Sequence, residues 1–436
     1  MKICSKKDIR VVTGILAASV ILGGCASAAP QETAGKPGKD DTQVKTEIDL
    51  KKIAGTEFDS GKLDGEYRKY CFEIFSQTVG DHGGKDENVM ISPASVMLAL
   101  DMLAAGSKGD SLKQLTDLFA DGADPMEQQA YAAALMKKIN DSKKVDFSCA
   151  NAVWSNSGIL GDTVNTEYVD YIKDTFRAEY SAEPFNAKTP DEINGWVDEH
   201  TDHMIQKVID ELDPMDVMVL VNAISFDAKW DAPYMDDQLG SGDFTASDGS
   251  VLEANYLNGK SPLYYETEKA TGFIKEYEGG EYAFIAILPA DDSVSANEFA
   301  KNFTADDYEE FVNSATDEYD VYTKMPAFSS DFEASLTGTL SRLGAPDIFD
   351  GSKADLSGIA GNQGDLFVSD VIHKTHIEVD SEGTRAAAVT AVTVRANGIE
   401  FSEKESRTVI CDRPFVYAIV DTETMAPVFI GTVNAV

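Results

Sequence analysis

Basic residues, histidine and cysteine are scarce in this chain, and each shortage closes off a class of function. Only 37 Lys and Arg stand against 75 Asp and Glu, a formal charge of −38 over 436 residues. So acidic a surface repels phosphate backbones and anionic headgroups, so no nucleic-acid partner is expected. The excess acid reads as a solubilising coat. With five histidines and no G-x-S-x-G, S-x-x-K, H-E-x-x-H or Walker loop, the usual catalytic arrangements are missing. His200 and His203 could offer two imidazoles to a metal. Beside Glu199 and Asp202, however, they fit a solvated helix face better. No enzyme activity, metal or other cofactor is expected. The cysteines are five, of which Cys71, Cys149 and Cys411 lie in apolar surroundings within the body of the chain. An odd number excludes a closed disulfide framework and points to buried free thiols.

The N-terminus has the pattern of an export signal. Lys2, Lys6, Lys7 and Arg10 form a basic start, and Val11–Leu22 is an apolar run too short to span comfortably as a mature helix. Leu22-Gly23-Gly24-Cys25 follows and resembles a bacterial lipobox, in which Cys25 is lipidated and becomes the new N-terminus. Residues 1–24 are therefore expected to be removed and to lie outside the fold. Residues 25–55 are rich in Ala, Pro, Gly, Lys and Asp, and read as a lipidated flexible tether. The expected location is the extracytoplasmic side of the cell membrane, at the cell surface.

Residues 56–436 show no second linker or repeat and read as one large mixed domain. Helical spacing marks Tyr67–Val79, Ser95–Ala105 after Ser92-Pro93, and Thr189–Leu212 with Trp196 on one face. Strand character marks Val217–Phe226, Tyr282–Leu288, Val321–Lys324, Val368–Val379, Val416–Val420 and Val428–Val433. Helices followed by strands predict an α+β fold around large sheets. His373 and His376, at odd spacing on one strand, face opposite sides, so one must point inward as a hydrogen-bonded core residue.

The stretch 376–398, HIEVDSEGTRAAAVTAVTVRANG, is the most informative. An alternating strand, Ile377–Val379, runs into Glu382-Gly383-Thr384, then Ala386-Ala387-Ala388, then β-rich Val389–Val394. Between Thr384 and Val394 there is no Pro and one charge, Arg385. Such a segment can stay an exposed loop or be accepted as a new central strand, because nothing in it resists burial.

Several ordered motifs together resemble the serpin family over essentially all of 56–436. Asn88–Ser95 with Leu98-Ala99-Leu100 and Ala104–Ser107 is similar to the family's N-x-x-x-S-P-x-S helix opening. Val221–Trp230 is similar to its N-A-x-x-F-x-x-x-W strand. Met325–Phe328, Leu343-Gly344 and Ala354–Ile359 follow in family order, and Asp412–Phe415 with Phe429-Ile430-Gly431 resembles the closing hairpin.

The resemblance implies three β-sheets, about eight or nine helices and an exposed reactive loop spanning about 381–407. It implies inhibition by insertion of that loop into the largest sheet after a target protease has formed a covalent acyl-enzyme on it. The chain would be consumed, and would act as a monomer. Gly383, Thr384, Arg385, Ala386, Ala387 and Ala388 would form the hinge, with Thr384 and Ala386 facing into the sheet and Arg385 outward. Ser92, Ser95, Asn222 and His373 carry over as a hydrogen-bonded gate through which the sheet opens, with Trp230 at the top where insertion begins. One departure stands at Ser381, where the family has an acidic residue, so the anchoring of the loop's base is open. The resemblance implies a cut about 14 residues after the hinge glycine, which from Gly383 gives Asn397–Gly398, and at ~3.3 Å per residue a strand of that length would span the sheet. Counting back from Pro414-Phe415 points instead near Glu403. Arg395–Ala396 would suit a trypsin-like protease, and Phe401–Ser402 a chymotrypsin-like one. The acidic surroundings of residues 125–140 argue against a glycosaminoglycan cofactor. Two alternatives are a non-inhibitory serpin and a surface lipoprotein that binds a solute or host component.

Overall fold

The computed structural model describes residues 16–24, 47–384 apart from 85, 143, 201, 202, 204, 205 and 214, and 404–436. Among these residues the chain forms nine α-helices and three sheets. The helices are α1 (Ser60–His82), α2 (Pro93–Ala104), α3 (Gly109–Phe119), α4 (Pro125–Asp141), α5 (Thr166–Phe176), α6 (Thr189–His200), α7 (Ala296–Asn302), α8 (Ala305–Asn313) and α9 (Thr337–Leu343). The expected α+β class and three-sheet architecture are what the chain adopts.

Local chemistry fixes the helix that matters most. Ser92 caps α2 by accepting a hydrogen bond from the Ser95 N–H, and Pro93 stands at the opening position. Every residue of α2 is buried, Ser95 and Asp101 included, so it is an interior helix, largely apolar all round. It lies between the largest sheet and the Pro427–Val433 strand of the second.

The largest sheet has seven strands. At one side Phe328–Ser335 pairs antiparallel with Leu366–Val379. At the other, Asp216–Lys229 pairs antiparallel with Asp146–Asn156, which pairs parallel with Glu179–Glu183. Between Leu366–Val379 and Asp216–Lys229 lies a slot one strand wide. Gly383–Thr384 enters its upper end, with Thr384 opposite Val379 on one edge and Ala228 on the other. Along Leu366–Val379, Val371, His373, Thr375, Ile377 and Val379 are buried toward the core. Thr384, paired with Val379, faces the same way and is itself buried. The second sheet runs from Met90–Ile91 through Pro427–Val433, Phe415–Asp421, Tyr282–Pro289 and Ala270–Glu276 to Tyr264–Glu266. The third contains Glu405–Ile410, Tyr319–Pro326, Val251–Ser261 and Leu239–Thr245. Residues 385–403 therefore connect the slot to the edge of the third sheet.

Three expectations need correction. Leu16–Gly24, expected outside the fold, forms a strand in the lower part of the slot, antiparallel to both edges. A slot flanked on both sides by ladders accepts any extended segment without charge or Pro, and this one has neither. The tether ends earlier than residue 55. Leu50–Gly55 forms a 3-10 turn with Ile53 buried, and Lys51 Nζ meets Glu167 at 3.1 Å. Finally, α6 stops at His200 rather than Leu212. His203 is left-handed at φ 62°, and the Asn194 side chain takes up the N–H groups of Val208 and Ile209, folding the segment back on the helix.

Gly383 is required by close approach more than by hinge freedom. A Cβ there would lie 2.1 Å from the Ala228 carbonyl oxygen and 2.9 Å from Lys229 Cα. Gly383→Ala should therefore lift the hinge out of the sheet, since keeping it in place costs about 1–3 kcal/mol of overpacking. The expected result is faster amide exchange at Thr384 and its partners by mass spectrometry. Unchanged exchange would mean the sheet accommodates the methyl group.

Candidate functional site

The base of the loop is held by a turn that uses Asp380 where Ser381 had left the anchoring open. Asp380 Oδ1 accepts from the N–H groups of Glu382 (2.7 Å) and Gly383 (3.1 Å), and the Asp380 N–H donates to the Gly383 carbonyl. Trp230 reads the same turn from the facing strand. Its N–H donates to the Glu382 carbonyl, and its indole Nε1–H to the Asp380 carbonyl at 2.9 Å. The Trp230 ring stacks on Tyr277 with centroids 4.6 Å apart. Tyr277 in turn places its hydroxyl 2.5 Å from Thr384 Oγ1. The hinge thus enters the slot as two paired residues locked by one aromatic pair. Tyr277 and Asp380 were not legible as site residues, because Tyr277 carries no motif and sits 107 positions from Thr384.

Below the hinge a polar chain crosses the buried face of the sheet. The Ser92 hydroxyl donates to the Val428 carbonyl, and the Ser92 N–H donates to His373 Nε2 at 3.1 Å. Ser95 Oγ donates to Asn222 Oδ1 at 2.6 Å. Asn222 Nδ2 donates to Asn151 Oδ1, and Asn151 Nδ2 to the Phe176 carbonyl at the end of α5, both at 2.6 Å. The structure brings Ser92, Ser95, Asn222 and His373 together and adds Asn151. Its signal was an amide among small and apolar residues on a segment whose strand character had gone unread. The chain links α2, both slot edges and α5 through buried polar groups, and its bonds are in place with Leu16–Gly24 seated between the edges.

His373 is fully buried, and burial lowers its pKa to about 3. Its Nε2 accepts, so the neutral ring carries its proton on Nδ1, which finds no partner among the described residues. His376 faces the opposite side of the sheet, with Nδ1 2.6 Å from Asp331.

The remaining candidates sit apart. His200 contacts the Trp196 carbonyl and Glu179, while His203 pairs with Asp198. The two rings are thus engaged by separate acids. No group of three or more His, Cys, Asp or Glu suited to a metal occurs among the described residues. Cys71 and Cys411 are buried free thiols, pushed far above the usual thiol range by desolvation. Cys25, Arg385, Ala386, Ala387, Ala388, Arg395, Ala396, Asn397 and Gly398 lie outside the described residues.

A sheet with a one-strand slot, a hinge already paired at its mouth and a polar gate beneath defines a protein built to admit a further strand. The family model for Serpin (serine protease inhibitor) matches residues 66–436. The chain belongs to the serpin family. It is 31% identical to Iripin-5 of Ixodes ricinus, over 80% of this chain and 89% of that protein. It is 30% identical to leukocyte elastase inhibitor A of Mus musculus, over 84% and 97%. The solved structure of the thermophilic serpin tengpin in its native state superposes with a TM-score of 0.77 at 33% identity, covering 87% of this chain and 96% of that one.

A lowered histidine pKa has a defined sign. Between the unfolded value near 6.5 and the folded value near 3, the unfolded chain binds the extra proton, so stability falls as pH falls through that window. The loss approaches about 1.4 kcal/mol per pH unit for a single group. Denaturant midpoints at pH 7 and pH 4.5 should separate by less in His373→Gln than in the parent chain. Equal separations would show that His373 does not set the acid limit.

Proposed function

We propose that this chain is a suicide-substrate inhibitor of extracellular serine endopeptidases, trapping the acyl-enzyme by inserting its loop between Asp216–Lys229 and Leu366–Val379. The observation that carries this reading is the register of the hinge. Gly383 faces Lys229, and Thr384 faces Ala228 and Val379. Continued one for one down the slot, Asn397 would fall opposite Leu366, where that edge strand begins, and Ala396 opposite Asp216, where the other begins. Both edges would run out within one residue of Asn397–Gly398. That coincidence supports Asn397–Gly398 over Arg395–Ala396 and over cuts nearer Glu403.

In the proposed step the protease serine adds to the Asn397 carbonyl. The Asn397–Gly398 amide bond breaks, the Gly398 amine leaves with the serine proton, and an ester joins Asn397 to the protease. Insertion then carries the ester the length of the sheet before water can hydrolyse it. In this register Ala386, Ala388 and Thr390 would follow Thr384 on the core-facing side, where only small residues fit beside the gate. Arg385 would face outward, where its charge is tolerable. The inhibitor is spent in one turnover, and neither metal nor glycosaminoglycan enters the scheme.

The basic start, short apolar run and Leu22-Gly23-Gly24-Cys25 support a bacterial lipoprotein form, with 1–24 as signal and Cys25 as lipid anchor. A tether over 25–46 would hold the inhibitor at the cell surface as a monomer. The name of the leukocyte elastase inhibitor relative favours protease targets over the alternative of a solute-binding lipoprotein.

Residues 26–436 incubated with a panel of serine and cysteine proteases should give a denaturation-resistant complex on SDS gels and release a peptide beginning at Gly398 by intact mass. Clean cleavage without a complex, and without a rise in Tm of the cut protein, would overturn the reading and leave a binding role. In the same assay Ala386→Arg should abolish the complex band while loop cleavage persists, because a charge on the core-facing side stalls insertion. A complex of undiminished yield would show that the loop does not enter in this register.

A further inference from the structure

The lower part of the slot is filled by the chain's own leader. Leu16–Gly24 pairs antiparallel with both edges, from Leu16 opposite Thr375 to Gly24 opposite Leu366, and from Ala17 opposite Ala223 to Gly23 opposite Asp216. The register is the one the loop would need. Continuing from Thr384, Val389 would face Lys374 and Ala223, and these are the partners of Ala17. Ala18, Ser19, Val20 and Ile21 likewise hold the places required by Thr390, Ala391, Val392 and Thr393. The two segments share much of their chemistry, being mostly small or β-branched apart from Leu16 and Leu22, without Pro and nearly without charge. A slot that reads only backbone pairing and side-chain size does not distinguish them. Two strands cannot occupy one position, so the leader and the loop exclude each other over this length.

We propose that the leader is an intramolecular plug. In the uncleaved, folded chain it blocks loop insertion, so a protease that cuts the loop meets a substrate rather than a trap. Hydrolysis of the Gly24–Cys25 bond by a signal peptidase, with water as co-reactant, converts the plug into a separate peptide. While joined, the leader is held at the slot by a connection of limited length and re-enters at high effective concentration. Once cut, it must compete as a dilute solute with a loop that remains attached. Trapping is then switched on only where the leader is removed. This proposal rests on the trapping mechanism above, but the strand's occupancy can be measured independently of it.

The test uses the full chain Met1–Val436 made uncleavable by Cys25→Ser, the same chain carrying Val20→Asp and Ile21→Asp, and the mature chain. Side chains alternate along a strand, so the two substitutions put one carboxylate on each face whichever way the leader is turned. Hydrogen exchange should find the amides of residues 16–24 protected by about tenfold or more in the uncleaved chain and unprotected in the double variant. Cleaving the loop should raise the Tm of the mature chain and of the double variant, and leave that of the uncleaved chain unmoved. Unprotected leader amides, or a Tm rise in the uncleaved chain equal to that of the mature one, would overturn the plug. Protected leader amides with no Tm rise in any of the three chains would sink the trapping reading and with it the switch, while leaving the strand in the slot.

Discussion

The constraint on which this fold depends is the pairing of backbone groups along the two edges of the slot. Asp216–Lys229 and Leu366–Val379 run parallel to each other, and each meets its inner neighbour antiparallel. Backbone N–H and C=O groups in the middle of a sheet need partners, since leaving them unpaired and buried costs as much as lost hydrogen bonds. Whatever fills the slot is therefore selected first for being an extended strand and only then for its side chains. That ranking explains why Gly383–Thr384 can start a strand in the slot and why Leu16–Gly24 can fill its lower part.

The gate and the hinge share this constraint but solve different parts of it. At the mouth, Trp230, Tyr277 and Asp380 bind the chain through backbone carbonyls, backbone N–H groups and one hydroxyl, so the entering residues must be small and close, as Gly383 and Thr384 are. Deeper, the Ser95–Asn222–Asn151 chain ties the sheet to α2 and to the end of α5. An aromatic clamp at the entrance and a hydrogen-bonded chain in the middle hold the two edges one strand apart.

Much of this was legible in the sequence because the signals were local. Ser92-Pro93 announced the capped helix, the alternation of Ile377–Val379 announced the strand leading to the hinge, and odd spacing required one of His373 and His376 to face inward, the serpin resemblance naming His373. What escaped was set by distance or by the tertiary environment. Tyr277 meets Thr384 only because two sheets pack together, and nothing in its neighbourhood marks it. Asp380 replaces the expected acidic residue from one position away, a shift that only the turn geometry reveals. The end of α6 was misplaced because Asn194 captures the following segment, and an amide's tertiary partner has no pattern in one dimension. Leu16–Gly24 was read for what an export signal does, not for what its composition also permits.

That dual composition follows from a physical overlap between two demands. An export signal must be apolar, uncharged and free of strong side-chain preferences, while a strand inserted late into a sheet must be extended, small and uncharged. The family of sequences that meets one demand overlaps the family that meets the other. A chain that keeps a one-strand slot for its loop therefore keeps one for any segment of that kind within reach. The leader lies within reach, because residues 25–46 separate it from Glu47, where the described part of the domain resumes. On the trapping mechanism proposed above, Leu16–Gly24 would have to leave the slot before the loop could enter it. The same two edges that would receive the loop are the ones that hold Leu16–Gly24.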